Sequence, residues 1–189
     1  PGEIVEQVVR AQHVCPQRVS NVVFMGMGEP LANYGPVWAS VERLHGDLGL
    51  SARQITVSTV GVVPGMRRLA TEALPVTLAV SLHAPDDELR SALVPLNHRY
   101  PIAEVLDAAA EVAGANGRRV TFEYAVIHGV NDGLDHAEAL GRLQELVDSV
   151  AQPPRVRRAT RPTKASRQRR LEGKKLRGQV KLLRGRVAD

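Results

Sequence analysis

A short apolar run near the start of the chain ends in residue types that commonly surround bound small molecules. The stretch VVFMGMGEPLANYG, residues 22–35, begins like a buried strand and then passes through Gly26, Gly28, Glu29 and Pro30. A glycine has no Cβ, so the backbone can bend sharply there or let a ligand approach closely. Pro30 fixes φ and lacks an N–H. Two interpretations remain open: an ordinary turn with a solvated glutamate, or a loop around a bound cation or ammonium group.

Four segments are predicted to be β-strands, and each is followed by a segment with helical periodicity. The predicted strands cover residues 20–27, 54–59, 76–83 and 119–127. The predicted helices fall within residues 2–14, 37–49, 63–73, 86–94, 102–117 and 134–150. Strands that alternate with helices indicate βαβ units and a parallel sheet. Asp86 and Asp87 suit the start of a helix, and Gly117 suits the end of one.

Small or polar residues alternate with aliphatic residues along these strands. The small or polar face is predicted to hold Thr56, Ser58, Thr77, Ala79, Ser81, His83, Thr121, Glu123 and Ala125. In the first strand, Val23, Met25 and Met27 are expected to face the helices, opposite Gly26 and Gly28. A doubly wound sheet needs two aliphatic faces, because helices cover both of them. The pattern therefore favours an α/β fold with part of a (β/α) barrel, helices outside and a polar interior.

The carboxyl ends of the predicted strands carry the polar groups that are able to bind a ligand. They are Glu29, Ser58, Ser81, His83 and Glu123. Since (β/α) barrels place their ligand sites at the carboxyl ends of the strands, we expect an enzyme-like site there. Plainer alternatives stay open: serine hydroxyls bonded to their own backbone, His83 as a core histidine or a lone metal ligand, and a structural Glu123.

Composition limits the class of protein. The 189 residues are 43% hydrophobic, contain no run that would span a bilayer and show no secretory leader, so a cytoplasmic location is expected. The only cysteine, Cys15, excludes an internal disulfide and any multi-cysteine metal site in this chain. Residues 1–150 contain no lysine, which excludes an aldolase that forms a Schiff base inside the barrel.

The charge divides the chain into a predicted core domain, residues 1–150, and a basic tail, residues 151–189. The first part holds 11 arginines and 18 acidic residues, a net charge of −7, whereas the tail has a net charge of +12. Dense like charge is typical of a disordered, solvated segment, and arginine and lysine also neutralise RNA phosphates. A changed reading frame is a third explanation, and a basic amphipathic helix is conceivable from about residue 170.

Four stretches, in this order, resemble the radical S-adenosylmethionine (SAM) enzymes that methylate C2 of adenine in 23S rRNA and in some tRNAs. They are VVFMGMGEPLANY, ITVSTVGVVPGMRRLA, LAVSLHAPDDELRSALVPLN and VTFEYAVIHGVND, and the resemblance as a whole extends over about residues 2–149. The resemblance implies SAM and a 4Fe–4S cluster as cofactors and RNA, 23S rRNA or tRNA, as the partner. It implies no membrane partner, and a monomer once the protein is complete.

The resemblance also implies which residues contact the cofactor. Gly28 and Glu29 would hold the methionine end of SAM, with the carboxylate pairing with its ammonium group. The further cofactor-contacting positions would be Ser58, Ser81, Leu82 and His83, with Leu82 acting through its backbone.

Two features of the family have no match in this chain. The cluster is held by three cysteines in a C-x₃-C-x₂-C loop, which would lie before Pro1, and a cysteine near the C-terminus carries the methyl group. The chain therefore corresponds to the central part of such an enzyme, with no catalytic and no metal-binding residue of its own, and we expect it to be inactive alone. The alternative hypothesis is a non-catalytic, basic RNA-binding protein.

Several other polar residues are assigned plain structural roles. Asn97 and His98 are expected to be loop residues, and Asn131 or Asp132 is expected to cap the helix that follows GVNDG. Cys15 is expected to be an incidental thiol.

Overall fold

The computed structural model describes residues 1–117 and 119–150, in which helices and strands alternate along the chain. The strands are β1 (Val22–Phe24), β2 (Ile55–Thr59), β3 (Thr77–Ser81) and β4 (Thr121–Glu123). The helices are α1 (Gly2–Val14), α2 (Tyr34–Gly46), α3 (Val63–Ala70), α4 (Asp87–Leu93), α5 (Ile102–Asn116) and α6 (Leu134–Val150). The predicted basic tail, residues 151–189, lies outside the described residues.

The four strands form one parallel sheet in the order β1-β2-β3-β4. The register places Val23 beside Thr56 and Ser81 beside Glu123. Each predicted strand segment contains one observed strand, so the predicted α/β architecture of parallel strands with flanking helices is confirmed. The strands are shorter than predicted, and β1 already ends at Phe24.

One face of the sheet forms the core with the helices. The aliphatic strand residues on this face are Ile55, Val57, Leu78 and Val80, each at most 1% exposed. The helices contribute Val41, Leu44, Met66, Leu69 and Val105, which are equally buried. On the opposite face, Thr56, Thr77 and Ser81 are only half-buried, while Ser58 and Ala79 are buried at 6% and 2% exposure. The alternation predicted for β2 and β3 is therefore confirmed.

The predicted orientation of β1 is wrong. Val23 and Met25 do not face the helices, because they are 50% and 59% exposed, and Met27 beyond the strand is fully exposed. Instead Phe24 enters the core at 8% exposure, since the register sets it beside the buried Val57. Both alternating sets of β1 are apolar, so hydrophobicity alone did not distinguish the two faces. The polar face of the sheet therefore carries an apolar strip along β1.

The helix ends show the predicted capping. The carboxylate of Asp86 accepts a hydrogen bond from the Leu89 N–H at 2.9 Å, and Gly117 ends α5 in the left-handed conformation. Asp87 has a longer-range role, because its Oδ1 accepts a hydrogen bond from the Ile102 N–H at the start of α5. No helix in the described ranges combines the length with the apolar character that crossing a bilayer requires.

Candidate functional site

The polar residues predicted at the strand ends lie along one edge of the sheet. Parallel strands present all their carboxyl ends at the same edge, so Glu29, Ser58, Ser81 and His83 follow one another across it. Glu123 ends β4 at this edge, and its carbonyl accepts hydrogen bonds from the backbone N–H groups that follow Ser81. The structure therefore brings the predicted residues together.

Gly26 and Gly28 form the bend that follows β1. Their φ angles are +110° and +92°, values that side-chain-bearing residues rarely adopt. No atom lies within 4 Å of the position that a Cβ would take at either glycine. The backbone is therefore open on this side, as a closely approaching ligand would require.

Glu29 connects the loop after β1 to the loop after β2. One carboxylate oxygen accepts a hydrogen bond from the Leu31 N–H at 2.9 Å, and the other accepts one from the Val60 N–H at 2.8 Å. The glutamate is thus not freely solvated, and its charge is partly satisfied by two backbone donors. Each carboxylate oxygen retains a further lone pair with which to accept a donor from a ligand.

Ser58 and Ser81 lie on the polar face, and neither hydroxyl has a hydrogen-bond partner in the part of the chain that the structure describes. Ser58 is 6% exposed and Ser81 is half-buried. The alternative in which each hydroxyl bonds its own backbone is therefore not what the structure shows. Both hydroxyls are available to a ligand at this edge.

Leu82 points to the helices, as predicted. Its side chain is 2% exposed and belongs to a small cluster with Ile102, Leu106 and Leu143. Its N–H donates to the Glu123 carbonyl, and its carbonyl accepts from Arg90. A cofactor contact from the Leu82 backbone stays a prediction, and both of its polar groups already have partners within the protein.

His83 has the only positive φ angle, +60°, among the non-glycine residues that the structure describes. Its Nδ1 accepts a hydrogen bond from the Ala125 N–H at 3.1 Å. Burial lowers the pKa of His83 below its usual value, Glu123 acts in the opposite direction, and Arg90 lowers it further. Residues 1–117 and 119–150 contain no group of three His, Cys, Asp or Glu side chains able to hold a metal ion.

The expected helix-capping role of Asn131 or Asp132 is wrong. Asn131 is 3% exposed, and its amide donates to the carbonyls of His83 and Ala125, both at 2.8 Å. Asp132 closes a tight turn by accepting from the Gly129 N–H. Sequence reasoning missed Asn131 because its main partner lies 48 residues away. The signal that could have indicated the role of Asn131 is an amide side chain, with two donors and an acceptor, in a loop after a strand end.

A buried arginine, Arg90, contacts the loops at the same edge, and sequence reasoning missed this residue too. Arg90 of α4 is 1% exposed and donates to the carbonyls of Val60 and Leu82. It also donates to the side-chain oxygen of Asn97, which is itself buried rather than an ordinary loop residue. Burial lowers the pKa of Arg90, and nearby Asp87 acts in the opposite direction. Arg90 thus fixes the loops after β2 and β3 relative to each other.

A cleft of about 730 Å³ lies between α1 and β1. Its lining includes Ile4 and Val8 of α1, the exposed Met27, and the site residues Gly28 and Glu29. It does not include Ser58, Ser81 or His83. The cleft therefore overlaps only one end of the candidate site, and the chemistry of the site extends beyond it along the sheet edge.

Fold and site together define an α/β domain of the (β/α) barrel class with a candidate ligand-binding edge at the carboxyl ends of its strands. The family model described as "Radical SAM superfamily" matches residues 1–140. The chain therefore belongs to the radical SAM superfamily, and the resemblance seen in its four sequence stretches is confirmed.

Proteins named "Probable dual-specificity RNA methyltransferase RlmN" are similar to this chain. One from Frankia alni is 63% identical over 154 residues, covering 75% of this chain and 37% of the relative. Another from Salinispora tropica is 56% identical over 162 residues, covering 79% of this chain and 43% of the relative. A crystal structure of a radical SAM methyltransferase from Sphaerobacter thermophilus matches with a TM-score of 0.69 and 51% identity, covering 75% of this chain and 42% of that structure's chain. The chain thus spans about two fifths of these relatives.

The two cofactors of the superfamily, SAM and a 4Fe–4S cluster, fit this chain to different degrees. The chain has one cysteine, Cys15, which is exposed and lies between α1 and β1, on the amino side of the sheet. The residues present therefore do not fit a cysteine-bound cluster. SAM fits better, because the open backbone at Gly28 and the unpartnered hydroxyls of Ser58 and Ser81 suit its polar groups.

We expect Arg90→Met to lower the free energy of unfolding by about 2–4 kcal/mol, because it leaves buried carbonyls without donors. Arg10→Met is the matched control, since the Arg10 side chain is 79% exposed and, among the described residues, pairs with Glu6 on the surface. The change in the free energy of unfolding caused by Arg10→Met should stay within about 0.5 kcal/mol. Urea denaturation of both variants measures the difference, and equal midpoints for the two would contradict this role of Arg90.

Proposed function

We propose that residues 1–150 form the SAM-binding part of a methyltransferase that acts on C2 of adenine in 23S rRNA and tRNA. The observation that carries the proposal is the row of loops at the carboxyl edge, with open glycine backbone and two unpartnered serine hydroxyls. The printed names of the relatives support the RNA substrate. Such a protein would act in the cytoplasm, where its RNA substrates are found.

The chemistry of SAM suits this edge group by group. SAM carries an ammonium and a carboxylate at its methionine end, and two hydroxyls on its ribose. The backbone around Gly28 and the free lone pairs of Glu29 would accept from the ammonium. The hydroxyls of Ser58 and Ser81 can each donate and accept, and His83 offers a ring nitrogen. When bound, SAM supplies the methyl group and the radical chemistry of the superfamily.

The proposed boundary between the core domain and the tail lies near residue 150. The match to the superfamily ends at residue 140, and the composition changes to a net charge of +12 over residues 151–189. We also propose that these 189 residues alone do not catalyse methyl transfer, since they contain one cysteine where the family's chemistry uses several.

Glu29→Gln is expected to weaken SAM binding about tenfold. The glutamine amide nitrogen cannot accept a hydrogen bond, so either the Leu31 or the Val60 N–H loses its acceptor, at a cost of about 1–3 kcal/mol. Glu42→Gln removes the same charge from an exposed position on α2 and should leave the affinity unchanged. Isothermal titration of SAM into the full chain measures both, and a wild-type chain that binds no SAM would overturn the proposed function.

Anaerobic reconstitution of the 189-residue chain with iron and sulfide is expected to give no stoichiometric four-iron absorbance. One cysteine does not supply the thiolate ligands that such a cluster needs. A Cys15→Ser variant serves as the baseline, and its spectrum should match that of the wild type. One cluster per chain in the wild type would refute the proposed inactivity.

A second function, non-catalytic RNA binding, is favoured by the charge of residues 151–189. Replacing Lys164, Lys174, Lys175 and Lys181 by glutamine should make the slope of log affinity against log salt shallower by about three, if each contacts a phosphate. The control replaces four exposed arginines of the core domain, Arg10, Arg43, Arg119 and Arg142. Equal slopes in filter-binding assays of wild type and lysine variant would exclude these four lysines as phosphate contacts.

A further inference from the structure

The loop after β3 is fixed to the loop after β4 through His83. The backbone of His83 has a φ of +60°, a conformation that is uncommon for residues other than glycine. Its N–H points to the Glu123 carbonyl, and its own carbonyl accepts from the Asn131 amide at 2.8 Å. The conformation of His83 therefore depends on partners outside its own loop.

Both polar atoms of the Asn131 side chain form hydrogen bonds with the loops after β3 and β4. Its Nδ2 donates to the carbonyls of His83 and Ala125, and its Oδ1 accepts from the Ile127 N–H. A flipped amide would set its oxygen against two carbonyl oxygens, so only one orientation satisfies all three partners. Because Asn131 is 3% exposed, water does not readily replace these bonds.

The contact at Nδ1 determines where the His83 ring carries its proton. Nδ1 lies 3.1 Å from the Ala125 nitrogen, whose N–H donates to it, so Nδ1 carries no proton. The neutral ring then carries its proton on Nε2. Two charged groups act on this ring: Glu123 of β4, which favours protonation, and Arg90 of α4, which opposes it. Burial is the largest influence and also disfavours the charged ring.

We propose that Asn131 is a positioning residue that holds His83 as a neutral hydrogen-bond donor, with its proton on Nε2, at the ligand-binding edge. The half-buried ring leaves Nε2 without a partner among the described residues, so it can donate to an oxygen of the ligand. This ligand step rests on the proposed function. A neutral donor suits SAM, because its sulfonium is positive and an imidazolium nearby would repel it.

The first test needs no ligand. Nitrogen-15 NMR of the full chain should show the Nε2–H tautomer of His83 and a pKa below the ordinary value of a histidine. In Asn131→Ala, a measurable fraction of the Nδ1–H tautomer should appear, and the pKa of His83 should rise towards the ordinary value of a histidine. Asp132→Ala, in the same turn but without contact to His83, should leave both readouts as in the wild type. A wild-type ring protonated on Nδ1, or an unchanged ring in Asn131→Ala, would overturn the proposal.

Two further measurements keep the test decisive. If Asn131→Ala does not fold, Asn131→Ser gives the same comparison, because its hydroxyl can donate to only one of the two carbonyls. SAM affinity should fall about tenfold in the Asn131 variant and stay unchanged in Asp132→Ala, as expected for one lost neutral hydrogen bond. A wild type that shows the expected tautomer but binds no SAM would refute the proposed function and leave the positioning role intact.

Discussion

A buried guanidinium holds the carboxyl ends of two neighbouring strands together, and the rest of the site depends on it. Arg90 donates from one planar group to the carbonyls of Val60 and Leu82 and to the Asn97 side chain. A cation removed from water is tolerated only with such acceptors, since an unpaired buried charge costs several kcal/mol. The loops after β2 and β3 are therefore fixed relative to each other before any ligand arrives.

Side-chain hydrogen bonds also connect the other loops along this edge. Glu29 joins the loop after β1 to Val60, and Asn131 joins the loop after β4 to His83. Polar side chains that are already satisfied by neighbouring loops act as supports, and they hold the remaining groups in a defined geometry. The serine hydroxyls on the polar face have no such partners within the described residues and are free to bind a ligand, whereas Glu29 both supports the edge and keeps lone pairs for a ligand.

Sequence reasoning succeeded where the signal was local. Strict alternation in β2 and β3 gave the polar face, and parallel strands placed the polar residues at one edge. It failed at β1, where Val23 and Phe24 are both apolar and either face is plausible. The roles of Arg90 and Asn131 depend on partners 30 and 48 residues away, and no local periodicity reports such contacts.

The left-handed backbone at His83 restricts which amino acids the position can hold. Valine, isoleucine and threonine would clash with their own backbone there, whereas glycine, asparagine and aspartate adopt this region more easily. Histidine is less favourable than glycine in this conformation, and it adds an imidazole that a glycine would lack. A natural variant with glycine at this position would keep the turn and lack the imidazole ring.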